Sequence, residues 1–409
     1  MNILACHRIY NNFIVGAQFK PILTTNKIAN AVSKLCKKYP QFSLTVADDH
    51  HSEYLKKYNV RDCIEIIDNS NPQQILEKYT ALHFDYRNGK PNWKLVLDSN
   101  SNTLFFVADH TYLDGTAAKN AYSEICKSLD DQDIDIDNIE NNIIEPKFGP
   151  YHTSAEMMKF EERSIDANPN VGTSPPLDHS LLNSPYYKHT YQVIHLNKEK
   201  SEKLLKIARE NGFKFTGLIY SIASKAILNS YKDTGEFNKL RSLILINSRF
   251  RIHSKANELF SKFGLFFGFY YHYDDISFVK NSTISEIGKK FQIDLNDNMD
   301  NCLEFWENLE THSLRDKSII ENAINSIKLN DSKPTTTLEI SNIGLLNSDK
   351  ISKVYFDQPM FDSAFGLHLF SSNDYTSLNF TSHRGLPKEI HEKYVNNTMN
   401  IINDLLNKY

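Results

Sequence analysis

The sequence predicts an α/β protein built as two lobes, each a mixed β-sheet flanked by helices, and three observations carry that prediction. At 409 residues the chain exceeds what one ordinary hydrophobic core organises, so two domains or two equivalent halves are expected. Segments with strand and helix patterning alternate through both halves, which is the mark of an α/β sandwich. The third observation is a motif. Asp109-His110-Thr111-Tyr112-Leu113-Asp114-Gly115 reads H-x-x-x-D-G; it follows the apolar run 104–108 and precedes Ala118, Ala121, Tyr122 and Ile125 at helical spacing. A buried strand there turns into a helix, with a histidine at the strand's end.

In the first half, Thr25 or Asn26 is positioned to cap a helix whose apolar face is Ile28, Val32, Leu35 and Cys36, and Tyr39-Pro40 ends it. Residues 41–46 alternate, with Phe42, Leu44 and Val46 on one face, and 63–67 is a further short strand. The turn-rich stretch Phe84 to Pro91 leads into Trp93, Leu95 and Leu97, so 92–108 is predicted to be a hairpin. Residues 130–186 lack periodicity and read as a crossover with one short helix over 155–162.

The second half opens with a strand over 191–196 and a helix over 201–211 closed by Gly212. Thr216 is expected to cap the next helix, which carries Leu218, Ile219, Ile222, Ala223, Ala226 and Ile227. Residues 243–246 form a strand running into Asn247-Ser248-Arg249, and 263–271 is a glycine-interrupted aromatic run. Residues 335–340 are a strand ending in the turn Ser341-Asn342-Ile343-Gly344; strands near 363–371 and 375–382 precede a final helix started by Pro387. The boundaries are 1–160 for an N-terminal lobe carrying the motif, 161–186 for a linker and 187–409 for a C-terminal lobe.

Composition narrows the function. Hydrophobic residues make up 40 % and charged residues 23 %, and the formal net charge of −4 argues against broad electrostatic binding of nucleic acid. The five cysteines, Cys6, Cys36, Cys63, Cys126 and Cys302, have no C-x-x-C spacing, so neither a disulfide framework nor a zinc site is expected. The first residues lack the pattern of a secretory signal, and no window approaches the roughly 20 apolar residues that span a bilayer. No G-x-S-x-G, P-loop, G-x-G-x-x-G or H-E-x-x-H is present. His50-His51 after Asp48-Asp49 read as a solvated loop rather than a metal cluster. His83, His272, His368 and His383 read as isolated polar contacts, with no second partner at metal-ligand spacing.

A histidine held rigidly at a strand end suits general-base chemistry, because imidazole titrates near neutral pH. Asp114 either orients it or serves the turn, by accepting backbone N–H groups or an arginine. Gly115 is expected to supply a backbone angle other residues avoid. A histidine satisfied by local contacts alone fits the same pattern.

With its neighbours, the motif resembles the acyl-CoA-dependent acyltransferases related to chloramphenicol acetyltransferase, and within them the fungal alcohol acetyltransferases. The likeness is carried by 29–45 (ANAVSKLCKKYPQFSLT), 84–97 (FDYRNGKPNWKLVL), 107–115 (VADHTYLDG) and 335–344 (TTTLEISNIG), with 216–228 as the second-lobe helix. The plant-type relatives' D-F-G-W-G is poorly matched by Phe361-Asp362-Ser363-Ala364-Phe365-Gly366, which leaves the contacts to CoA unassigned.

The resemblance implies two lobes of similar topology with a channel between them and His110 at its middle as general base. It implies that Asp114 is architectural and meets an arginine, for which Arg249 is preferred and Arg251 and Arg8 are alternatives. Ser341 or Asn342 is the oxyanion or cofactor-side candidate, ordinary turn chemistry being the alternative. The implied activity is O-acyl transfer from acetyl-CoA, a co-substrate rather than a resident cofactor, to an alcohol. The alternatives are N-acetylation of a sphingoid-like amine, thioester or ester hydrolysis, and a non-catalytic protein binding CoA or a hydrophobic ligand. No metal, nucleic-acid partner or transmembrane segment is expected. A cytoplasmic monomer is, with peripheral membrane or lipid-droplet association left open.

Overall fold

The computed structural model describes residues 12–47, 52–68, 71–85, 88–131, 138–140, 173, 175–178, 190–232, 237–249, 262–311, 334–360 and 363–409, with the backbone alone at 190 and 300–311. The expected helix over 155–162, most of the 161–186 linker, His50-His51, Arg8 and Arg251 lie outside these residues.

The elements form two large mixed sheets. The first has the order β13-β1-β7-β6-β5, built from β1 (Asn12–Phe19), β5 (Ile64–Ile67), β6 (Trp93–Asp98), β7 (Thr103–Asp109) and β13 (Ile351–Asp357). The second runs β11-β10-β12-β14-β15-β9, from β9 (Thr190–Asn197), β10 (Lys239–Asn247), β11 (Phe267–Asp275), β12 (Thr336–Leu346), β14 (Ser363–Ser372) and β15 (Tyr375–Ser382). The predicted α/β class with mixed sheets holds: β12 lies parallel to β10 and β14, while β14–β15 and β15–β9 are antiparallel.

The apolar run of β7 has no alternation because both of its faces are covered. Leu104, Phe106 and Ala108 pack with α1 (Thr25–Lys38) and the helix α3 (Gly115–Ser128), while Phe105 and Val107 pack with Ile75, Leu76 and Tyr79 of α2 (Pro72–Thr80). The second sheet's core is covered by α4 (Lys198–Glu210), α5 (Phe215–Ser230), α7 (Ile284–Thr311) and α8 (Lys388–Lys408), with the short α6 (Ile276–Asn281) ahead of α7. The predicted 92–108 hairpin is β6–β7, paired antiparallel from Trp93↔Ala108 to Asp98↔Thr103.

One strand crosses between the halves. β13 comes from within 187–409, yet it pairs antiparallel with β1 and completes the first sheet's edge, Ile14 facing Asp357 and Phe19 facing Ile351.

Several local expectations are corrected. The cap of α1 is Thr24, whose hydroxyl accepts the Lys27 N–H, rather than Thr25 or Asn26. Pro40 turns 40–43 into a 3₁₀ turn, so the short strand β2 begins only at Leu44. Thr216 lies inside α5, whose N-cap is Lys214 with no side-chain cap. Residues 341–344 are not a turn at a strand's end. β12 continues through them to Leu346, with an irregularity between Asn342 and Leu345 and Gly344 at φ +81°. A glycine at positive φ lets the strand bulge and resume.

Candidate active site

The turn after β7 is fixed before any long-range contact acts. Asp109 accepts the Thr111 N–H at 2.8 Å as well as the Thr111 hydroxyl, an Asx turn that sets the direction of His110. His110 is buried, with its ring 4.8 Å from that of Phe13 on β1 and 5.6 Å from that of Phe267 on β11, so it lies against both sheets. Burial drives its pKa down to about 4. The charge of Asp114, the backbone of His110 and Leu113, and the charge of Glu339 pull the other way. At neutral pH the imidazole is therefore uncharged and keeps a lone pair to accept a proton.

Asp114 ends the turn as the N-cap of α3, accepting the Ala117 N–H at 2.8 Å. Arg249 meets the same carboxylate with a two-pronged contact, Nη1 to Oδ2 and Nη2 to Oδ1, both 2.8 Å, and the Phe266 N–H adds a bond of 2.9 Å. The guanidinium also donates to the Gly264 carbonyl at 3.0 Å and lies 5.0 Å from the centre of the Phe266 ring. Four donors thus occupy the Asp114 carboxylate and tie the motif of the first half to the end of β10. Such charge-assisted pairs are the strong class of hydrogen bond.

Gly115 corrects an expectation. It is the first residue of α3 and is not among the glycines with positive φ. What it supplies is space: a Cβ there would stand 2.6 Å from Ile343 Cγ2 and 3.1 Å from the Phe356 ring. One turn further along α3, the Lys119 ammonium donates to the Ile343 carbonyl at 2.6 Å, and its pKa is lowered by burial and by Arg249.

The two second-lobe candidates part company. Ser341 is buried and donates its hydroxyl to Gln358 Oε1 at 3.2 Å. Asn342 points to the other face of β12, where its Nδ2 meets Thr216 Oγ1 of α5 at 3.4 Å and its Oδ1 accepts the Gly344 N–H at 2.9 Å.

Two histidines read as isolated contacts are embedded in charged groups instead. His272 Nε2 lies 3.1 Å from Asp274, which also accepts the Tyr220 hydroxyl and pairs with Lys290. His368 Nδ1 lies 3.0 Å from Asp357, and its Nε2 lies 3.7 Å from Glu339. Burial opposes a charge on His368, but the bonds and charges of Asp357 and Glu339 outweigh it and raise its pKa to about 9. The partners come from β12, β13 and β14, separate strands, so no sequence spacing reveals them. The one available signal was Glu339 itself, a charge between Leu338 and Ile340 in a strand. Among the described residues no group of three or more His, Cys, Asp or Glu has the geometry to hold a metal ion, and no helix is long and apolar enough to cross a membrane.

This fold is that of the two-lobed condensation and acyltransferase domains. The trichothecene 15-O-acetyltransferase TRI3 of Fusarium sporotrichioides superposes with a TM-score of 0.59 at 13 % identity, covering 98 % of this chain and 92 % of that one. The cyclization-docking bidomain of EpoB from Sorangium cellulosum gives 0.61 at 12 %, covering 97 % and 80 %. Polyketide synthase associated protein 5 from Mycobacterium tuberculosis gives 0.58 at 11 %, covering 98 % and 95 %. At such identities these likenesses speak for the fold alone. The narrower resemblance comes from the sequence: the alcohol acetyltransferase family model matches residues 2–66 and 65–177, a stretch that contains the whole motif. No curated protein sequence matches the chain. The sequence likeness to the alcohol acetyltransferase family lies within residues 2–177, and the likeness over the rest of the chain is one of fold.

Proposed function

We propose that the protein transfers an acyl group, acetyl in the first instance, from acyl-CoA to an alcohol, with His110 as general base. The observation that carries this reading is a neutral, buried imidazole placed between the two sheets on a turn tied down by Asp114 and Arg249. A base for this reaction must be unprotonated at working pH and rigidly aimed, and both conditions are met by burial and by the four-donor lock on Asp114.

In the proposed step the acceptor hydroxyl attacks the thioester carbonyl while His110 takes its proton. The C–O bond forms as the carbonyl electrons move to oxygen. Collapse of the adduct breaks the C–S bond, and the imidazolium returns its proton to the departing thiolate. Ser341 is the candidate donor to the adduct's oxygen, once its hydroxyl turns from Gln358. Asp114 takes no proton in this scheme; its work is to hold the loop.

The test is release of free thiol from acetyl-CoA by the purified protein and by His110→Ala, against a panel of alcohols and long-chain amines. Alcohol-dependent release that disappears in the variant is the expected result. Full activity in His110→Ala refutes the mechanism, amine-dependent release moves the assignment to N-acylation, and release without acceptor moves it to hydrolysis.

A further inference from the structure

The residues of β11 alternate between two environments. Tyr270 packs into the second core beneath the helices, whereas Phe267, Phe269, Tyr271 and Tyr273 share the opposite face, the two tyrosines exposed. Among the described residues, Phe267 and Phe269 join none of the hydrophobic clusters.

This row begins at the base. The His110 ring lies 5.6 Å from that of Phe267, and Phe267 meets Phe269 edge to face at 5.1 Å. Across the antiparallel ladder Leu245 stands opposite Phe269, Leu243 opposite Tyr271 and Arg241 opposite Tyr273, so all of them lie on that same face. An apolar strip therefore leads from His110 to an arginine.

Among the described residues, Arg241 has no carboxylate partner. Its Nη1 donates to the Thr335 hydroxyl at 2.8 Å, and its guanidinium lies 4.3 Å from the centre of the Tyr271 ring. Both contacts hold the cation without neutralising it. Its Nε is buried and, among the described residues, meets no acceptor. Lys239 and Asp275 face each other one step further along the same side, and their charges cancel. Glu339, in register with Leu243 on β12, is already engaged by Gln358 Nε2 at 2.7 Å and Ser363 Oγ at 3.3 Å. The remaining positive charge suits a phosphate, which a guanidinium binds through paired donors.

The spacing suits one donor in particular. Asn247 stands opposite Phe267, and from there back to Arg241 β10 spans about 20 Å at about 3.4 Å per residue. In CoA, about thirteen covalent bonds separate the sulfur from the first phosphorus, a reach of about 16 Å when extended, and the second phosphorus lies about 3 Å beyond.

We propose that Arg241 binds the diphosphate of acyl-CoA, with the pantetheine arm lying along Phe269 and Phe267 and the thioester at His110. The proposal rests on acyl-CoA being the donor, as in the function proposed above, and supplies the cofactor-side contact that the motif does not.

Two measurements on the wild type, Arg241→Gln and Arg241→Lys test it. One is the ratio of kcat/KM for acetyl-CoA to that for S-acetylpantetheine, which has the same reacting end and no phosphate. The other is calorimetric titration with CoA and with dephospho-CoA, which needs no turnover. Arg241→Gln is expected to lower the ratio about tenfold and to weaken both ligands about tenfold, the share of one charge-assisted contact. Arg241→Lys should recover part of each loss. An unchanged ratio overturns the proposal. So does a loss confined to CoA, since dephospho-CoA keeps the diphosphate and lacks only the ribose phosphate. A raised KM for the alcohol alone also overturns it and makes the strip a wall for the acceptor. Full activity in His110→Ala, with CoA still weakened by Arg241→Gln, removes the base and leaves the phosphate site standing.

Discussion

Replacing Arg249 by alanine is the sharpest test of how the motif is held. The change removes both 2.8 Å bonds to Asp114, the 3.0 Å bond to Gly264 and the contact over Phe266, and leaves the carboxylate with only the Ala117 and Phe266 N–H groups. The two side chains are 12 % and 7 % exposed, so the orphaned charge is largely beyond the reach of water. Breaking a buried pair from one side costs about 3 to 5 kcal/mol, and the residual exposure of Arg249 argues for about 3. At about 2 °C per kcal/mol for a large chain, the melting temperature should fall by about 6 °C. Activity should fall further than stability suggests, by about 100-fold, because a base displaced by an ångström loses its alignment. Arg249→Lys keeps the charge but not the fork and should land between alanine and wild type. Calorimetry and the thiol-release assay on the same preparations measure both effects. An Arg249→Ala protein that melts within about 1 °C of wild type and turns over at the same rate would refute the argument that this pair holds the H-x-x-x-D-G loop.

Gly115→Ala should destabilise by about 1 to 3 kcal/mol through overpacking against Ile343 and Phe356, readable as a lower denaturant midpoint; an unchanged midpoint would mean that the two segments separate freely. The histidines predict a stability optimum in pH. His368, raised to about 9, binds its proton more tightly in the folded state than the usual 6.5, so its contribution is complete below about pH 6.5 and is lost as pH climbs through 9. His110, His195 and His391, all lowered to about 4 by burial, act oppositely: their contribution is complete above about 6.5 and is lost as pH falls toward 4. Melting temperature against pH should therefore peak near 6.5, and His368→Asn should flatten the alkaline side alone; an alkaline slope that survives in the variant would assign it to other groups.

α1 was legible because one side of it meets the core and the other does not, so it shows its period. β7, covered on both faces, was legible as an unbroken apolar run set between the turn-rich residues 98–102 and the H-x-x-x-D-G motif. β1, NFIVGAQF, is buried along nearly its whole length between two helical layers, so it offers no alternation to read. β13 went unread because its partner lies more than three hundred residues earlier, a pairing no local pattern encodes. In 341–344, Ser, Asn and Gly carry the chemistry of a turn, yet pairing with β14 resumes beyond them and makes the segment a bulge. At the site, a strand end followed by a cap residue and a helix is a local arrangement, so His110, Asp114 and Gly115 could be singled out together. Glu339, Asp357 and His368 meet only because three strands converge, and the sequence holds no trace of that beyond one acidic residue in an apolar run.

The crossing of β13 has a consequence for how the chain comes to be folded. The strand that completes the first sheet is made only after most of the second lobe has left the ribosome, and until then β1 presents an open row of backbone donors and acceptors. Neither half is a finished object without the other. An N-terminal fragment carrying the whole H-x-x-x-D-G loop would hold its histidine on a sheet with an unsatisfied margin, prone to pair with another copy of itself. The late strand acts as a clasp, and it makes assembly of the first lobe wait on synthesis of the second.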